Sequence, residues 1–173
     1  MKNIFLTGPP SSGKTTIIKK IISRWEKPAK GFYTQEILLN NKRQGFKMVT
    51  LDGREGLLGH KNIKSEYSVS KYGVSIENID NIAVPAIMPN NENELIILDE
   101  IGKMECFSEK FKNYTLKVLD APNVALGTIA IGGPDFIKEI KRREDIQIIE
   151  VKKNNRNELP DKILLYLKLG IVL

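Results

Sequence analysis

The chain of 173 residues contains one cysteine, one histidine, one tryptophan and only 7% aromatic residues. A lone Cys106 excludes an internal disulfide, and with His60 as the only histidine no Cys/His spacing builds a zinc site. No apolar run approaches the roughly 20 residues that a membrane-spanning helix needs. The first residues run straight into an apolar strand pattern, which leaves no room for a cleavable signal segment. Internal repeats, low-complexity tracts and Pro/Gly/Ser linkers are also missing. Together these absences predict a cytoplasmic protein folded as one domain over residues 1–173, with no membrane contact; the oligomeric state is left open, with a monomer assumed.

Hydrophobic residues at 41% and charged residues at 28% are those of a folded globular chain. A domain of this length buries about two thirds of its unfolded surface and needs no covalent staples. The net charge of +6, from 27 Lys and Arg against 21 Asp and Glu, favours polyanionic ligands. The basic residues are scattered and have no aromatic ladder between them, so nothing specific supports nucleic-acid binding.

Against this background one segment stands out. Gly8-Pro9-Pro10-Ser11-Ser12-Gly13-Lys14-Thr15 follows the apolar run Ile4-Phe5-Leu6 and precedes a helical pattern starting near Thr16. The spacing G-x-x-x-x-G-K-[ST] lets successive backbone N–H groups turn inward around a phosphate. Lys14 then reaches the β- and γ-phosphates, and the Thr15 hydroxyl serves as a ligand for Mg2+. The helix N-terminus behind the loop adds its positive dipole end. A nucleoside triphosphate is the ligand this arrangement predicts.

Further along, Ile17, Ile18, Ile21, Ile22 and Trp25 recur at helical spacing. Gly31 to Leu51 reads as a β-hairpin around the polar turn Asn40 to Arg43, and Asp52 to Ser75 as loops with a short strand. A helix is predicted over Glu77 to Met88, then a fully apolar strand over Leu95 to Leu98. Phe107, Phe111, Tyr114 and Val118 share one face of a helix. A strand near Val124 to Ile131, a helix near Phe136 to Arg143, a strand over Ile146 to Val151 and a helix over Glu158 to Lys168 follow, with Gly170 just past the last. Strands alternating with helices predict an α/β fold with a mostly parallel sheet, helices on both faces and a β-hairpin insertion, with ligand at the carboxyl ends of the strands.

The strand Leu95 to Leu98 delivers Asp99 and Glu100, a second acidic signature. Asp99 is the candidate metal ligand with Thr15, and Glu100 the candidate base that prepares a water for in-line attack on the γ-phosphorus. Lys103 and Glu105 read equally well as a surface pair or as a phosphate-facing pair. Arg142 and Arg143 are candidates for the extra positive charge that a loose phosphoryl transition state requires. Asp99 to Gly102 also fits the D-x-x-G pattern of GTPase switch loops, but the guanine-reading Asn-Lys-x-Asp turn is missing.

The stretches Gly8 to Thr15, Gly31-Phe-Tyr-Thr-Gln-Glu36 and Leu95 to Glu105 together resemble the small THEP-type nucleoside-triphosphatases, whose animal relatives are called cancer-related nucleoside-triphosphatases. Gly127-Thr-Ile129 and Arg143-Glu-Asp145 fit the same family. The resemblance implies a three-layer P-loop NTPase fold with a RecA-like core of the additional-strand, catalytic-glutamate type. It also implies slow Mg2+-dependent hydrolysis of ATP, GTP, CTP, UTP and TTP, with low base specificity and weaker action on diphosphates. The family's second nucleotide-binding segment falls on Leu95, Ile96, Ile97, Leu98, Asp99, Glu100, Ile101 and Gly102; of these, Asp99 to Gly102 are expected to reach ligand and the rest to be core. The alternatives are a nucleotide or small-molecule kinase, for which only Asn40 to Arg43 resembles an arginine lid, and an ATPase switch stimulated by nucleic acid or a partner.

Overall fold

A computed structural model describes residues 2–169. One nine-stranded sheet runs through it in the order β5-β6-β4-β3-β2-β7-β8-β1-β9. Its parallel half is built from β1 (Asn3–Thr7), the first part of β2 (Ala29–Leu39), β7 (Leu95–Ile101), β8 (Ala125–Ile129) and β9 (Ile146–Glu150). Strand β8 lies between the strand that carries the phosphate loop and β7, which carries Asp99 and Glu100. That inserted strand is the RecA-like order.

The parallel strands read as continuous apolar runs because helices cover both faces. Side chains alternate: Ile4 and Leu6 pack with Ile17, Ile18 and Ile21 of α1 (Lys14–Ile22), whereas Phe5 points to the opposite layer. Leu95 and Ile97 likewise join the first layer, Ile96 and Leu98 the second. The second layer is covered by the helices later in the chain, with Phe111 and Val118 on one and Ile137 and Ile140 on another. This is the three-layer arrangement that the sequence pattern predicts.

Strand β2 changes partners along its length. Ala29 to Tyr33 pair with β7 in parallel, and Phe32 to Leu39 pair with β3 (Lys42–Thr50) antiparallel. Asn40 and Asn41 close that hairpin, both with positive φ (49° and 57°), the conformation that two-residue hairpin turns need and asparagine tolerates. The segment Asp52 to Ser75 is more ordered than the sequence suggests. It forms β4 (Glu55–His60), β5 (Ser68–Val69) and β6 (Tyr72–Val74), which extend the antiparallel half. Short strands broken by Gly56, Gly59 and Gly73 carry too few alternating residues to show a period of two.

The helix expected at Glu77 to Met88 has three contiguous pieces: α2 (Ile76–Asn78), a π-helical stretch Ile79–Ala83, and α3 (Val84–Ile87). Pro85 explains the interruption. A proline inside a helix has no N–H and collides with the carbonyl four residues back, and a widened turn absorbs the conflict; here the Val84 N–H bonds back to Ile79. Three more helices follow, α4 (Glu109–Asp120), α5 (Asp135–Lys141) and α6 (Leu159–Leu169). Gly170, read as the residue past the last helix, lies outside the described residues.

Candidate active site

The loop from Gly8 to Thr15 leaves the carboxyl end of β1 and closes at the N-terminus of α1. Gly8 has φ of 143° and Gly13 φ of 101°, a left-handed geometry that glycine alone adopts without cost. A Cβ on Gly8 would come within 3.0 Å of the Val151 carbonyl oxygen, so the loop also sits tightly against the end of β9. The Lys14 ammonium donates to the Gly8 carbonyl at 2.9 Å and to that of Pro9 at 3.1 Å, which places it across the mouth of the loop. The Ser12 hydroxyl is buried without a hydrogen-bond partner.

From β7, the register with β8 breaks between Leu98 and Ile101, and the irregular step carries Asp99 and Glu100. Leu95, Ile96, Ile97 and Leu98 are core. Asp99 is 1% exposed; its Oδ1 accepts from the Thr128 hydroxyl on β8 at 2.5 Å, and its Oδ2 is buried without a hydrogen-bond partner. Burial raises the pKa of Asp99, while the hydroxyls of Thr128 and Thr15 and the charges of Lys14 and Lys19 oppose that rise. The Glu100 carboxyl is also raised, first by burial and then by the charge of Asp99, with Lys14 opposing. A base with raised proton affinity, aimed into a phosphate cleft, suits the abstraction of a proton from water.

The sequence left Lys103 and Glu105 as an undivided pair, and the structure separates them. Lys103 is exposed on the wall of the cleft. Glu105 is 2% exposed, and its carboxyl is pushed up to about 8 by burial and by the charges of Glu100 and Asp99, although N–H groups of Gly102 and of Glu105 itself favour the charged form. Gly102 is what brings the two glutamates together. A Cβ there would lie 2.7 Å from both Glu100 Oε1 and Glu105 Oε2, so both carboxyls converge on space that only a glycine leaves open.

Of these groups, Gly8, Gly13, Lys14, Thr15, Glu100, Lys103 and Glu105 line a cleft of about 1020 Å³, and Asp99 lies buried beside Thr15. Loop residues between Gly8 and Thr16 form one wall with Lys19, Lys103 stands on another, Glu100 and Glu105 lie between, and Gln35, Glu36, Arg43 and Phe46 of the hairpin close the far side. Arg43 lies over the Phe46 ring and pairs with Glu36.

Arg142 and Arg143 are elsewhere. Helix α5 starts near the carboxyl end of β8 and returns to the amino end of β9, so its last turn lies at the edge of the sheet opposite the phosphate loop. There Arg143 pairs with Asp120 at 2.7 Å and Asp145 at 2.9 Å, and the Asp145 carbonyl accepts from Lys2 and Asn3 at the start of β1. The structure thus corrects the expectation that either arginine reaches the phosphates, because strand direction carries both to the wrong end. The cations it brings to the cleft instead are Lys19, Arg43 and Lys103, beside Lys14.

Among the described residues, no cluster of three or more His, Cys, Asp or Glu could hold a metal, and no helix is long and apolar enough to cross a membrane. One or two protein oxygens completed by substrate phosphates is how such sites hold Mg2+, and the buried, unpartnered Asp99 Oδ2 beside Thr15 fits that role.

Comparison with known proteins agrees with this geometry. The profile of a family described as NTPase matches residues 3–164. The nucleoside-triphosphatase THEP1 of Thermotoga maritima is 43% identical over 166 residues, 95% of each chain. The human cancer-related nucleoside-triphosphatase is 36% identical over 92% of this chain and 94% of its own. Among solved structures, THEP1 from Aquifex aeolicus superposes with a TM-score of 0.88 at 34% identity, covering 96% of this chain and 99% of that one. The solution structure of the human protein gives 0.83 at 33% identity, covering 99% and 100%.

Proposed function

This chain belongs to the same NTPase family as THEP1, and on that premise we propose that it hydrolyses nucleoside triphosphates to nucleoside diphosphate and phosphate with Mg2+ as cofactor. One observation carries the reading: the irregular end of β7 brings Glu100 into one cleft with Lys14 and Thr15 and sets the buried Asp99 against the Thr15 hydroxyl. The loop amides and Lys14 hold the β- and γ-phosphates. Asp99 and Thr15 hold Mg2+, which when bound neutralises developing charge on the phosphate oxygens. The Glu100 carboxylate takes a proton from water as the water oxygen bonds to the γ-phosphorus, the bond to the bridging oxygen breaks, and the diphosphate leaves. Lys103 stands in the same cleft as a further cation for that charge.

Low base specificity is part of the proposal and is supported by the lining of the cleft. Its polar groups near the loop are those of phosphate and metal chemistry, and no base-reading motif accompanies them. A chain that relies on no disulfide fits a reducing compartment, and we place the protein in the cytoplasm as one domain over residues 1–173. Purified protein with Mg2+ should release phosphate from ATP, GTP, CTP, UTP and TTP, and more slowly from diphosphates. Glu100→Gln should bind Mg-ATP in calorimetry yet barely turn over. Full turnover in that variant would remove Glu100 as the base.

A further inference from the structure

The hydrolytic scheme leaves Glu105 without a task, yet its position is costly. It is 2% exposed, and among the described residues no lysine, arginine or histidine pairs with it. A carboxylate in such a place is strongly disfavoured and stays neutral instead. The groups around it point the same way. Cys106 follows it on the short 3₁₀ turn Glu105–Phe107; Glu100, with Asp99 behind it, approaches from the end of β7; backbone N–H groups of Gly102 and Glu105 donate to it; Lys14 and Lys103 stand on the other walls of the cleft. Glu105 Oε2 and Glu100 Oε1 converge on the same point beside Gly102.

We propose that Glu105 is a positioning residue for Glu100: a neutral carboxylic acid whose O–H donates to the Glu100 carboxylate and fixes its other oxygen toward the attacking water. The inference rests on the hydrolase reading above. Two carboxyls that converge on one point resist ionising together, and surroundings that push their proton affinities apart assign one as acid and the other as base. The more buried of the two glutamates already takes backbone donors, so as a neutral acid it has a hydroxyl to share, and Glu100 is the acceptor that converges on it. Ionisation of Glu105 would replace that hydrogen bond with repulsion and turn Glu100 away.

The test compares wild type, Glu105→Gln and Glu105→Ala by phosphate release across neutral and alkaline pH. Glutamine keeps a neutral donor; alanine does not. Glu105→Ala should lower kcat about tenfold or more with KM for Mg-ATP little changed, as expected for loss of a hydrogen bond to a charged group. Glu105→Gln should restore most of that loss. Wild-type turnover should fall as pH rises through about 8, and Glu105→Gln should lack that decline. Infrared difference spectra supply a readout independent of turnover: a protonated-carboxyl band at neutral pH in wild type and in Glu100→Gln, absent from Glu105→Gln. If Glu105→Ala fails to fold, the glutamine variant and the band decide alone. A glutamine variant as inactive as Glu100→Gln, an alkaline decline that persists in it, or no such band would overturn the assignment. A wild type that releases no phosphate at any pH would instead sink the hydrolase reading, and the band would still report the state of Glu105.

Discussion

Replacing Glu105 by glutamine should stabilise the protein at neutral and alkaline pH and leave it nearly unchanged in acid. The folded state holds this carboxyl at about 8 instead of 4.5, so folding binds a proton that the unfolded chain releases at lower pH. For an acid whose folded value lies above its unfolded value, the stabilisation is complete below about 4.5, declines steadily above it and is gone beyond about 8. Each tenfold in proton affinity is worth about 1.4 kcal/mol, so the group costs the fold about 3 kcal/mol at pH 7 and about 5 kcal/mol above pH 8. That is a large share of the roughly 5–15 kcal/mol by which domains are stable. Glutamine has no such titration, and groups away from Glu105 cancel in the difference between variant and wild type, while Glu100 and Cys106, which lose its charge, are relieved in the same direction. Urea unfolding of both proteins at about pH 5, 7 and 9, with the slope checked for constancy, should give a difference that grows with pH in favour of the variant. A difference that stays flat across that range would refute the buried neutral acid, whatever its sign.

Gly102→Ala places a methyl group 2.7 Å from both glutamate oxygens; because flexible carboxyls can give way, unfolding measurements should show little loss, while phosphate release should fall as steeply as in Glu100→Gln. Thr128→Val removes the donor to Asp99 Oδ1, leaving a buried carboxylate under-satisfied; stability should drop by about 1–3 kcal/mol, and a Mg2+ titration of turnover should shift to higher concentration. Arg143→Ala breaks its pairs with Asp120 and Asp145 and should cost about 1 kcal/mol with kcat and KM unchanged; a large fall in kcat would restore it to the phosphates.

The elements that position the phosphate loop were legible because each carries a signal on a few neighbouring residues. The first strand, the glycine spacing and the apolar stripe of α1 identify a strand, a turn and a helix in order, and Leu95 to Leu98 announce a strand covered on both faces. What the sequence hid depends on partners distant in the chain. Thr128 looks like an ordinary strand threonine until β8 is inserted between β1 and β7, and only then does it face Asp99. Arg143 looked available for phosphate because it follows a strand and a helix in the right order. Which end of the sheet receives a helix terminus is fixed by strand direction, however, and no local pattern contains that.

Glu105 marks the sharper limit. Charge at a position ordinarily argues for solvent, so the Lys-Met-Glu sequence after a strand could be read as surface as readily as phosphate-facing, and neither reading placed Glu105 in the interior. The flanking Met104 and Cys106, both buried, carried the contrary signal: the turn Glu105–Phe107 is folded inward, and the charged residue goes with its neighbours. A buried acid with no cation is disfavoured by every packing argument, so its presence is better explained by the cleft it faces than by the core it joins. The same reasoning ranks the residues of the acidic segment. Asp99 is buried but satisfied on one side and free on the other, as a metal ligand requires; Glu100 is only half-buried and has access to water, as a base requires. Glu105 is as buried as Asp99 but lacks its threonine donors and nearby cations, so the neutral form wins, and a neutral acid can orient a base without competing for its proton.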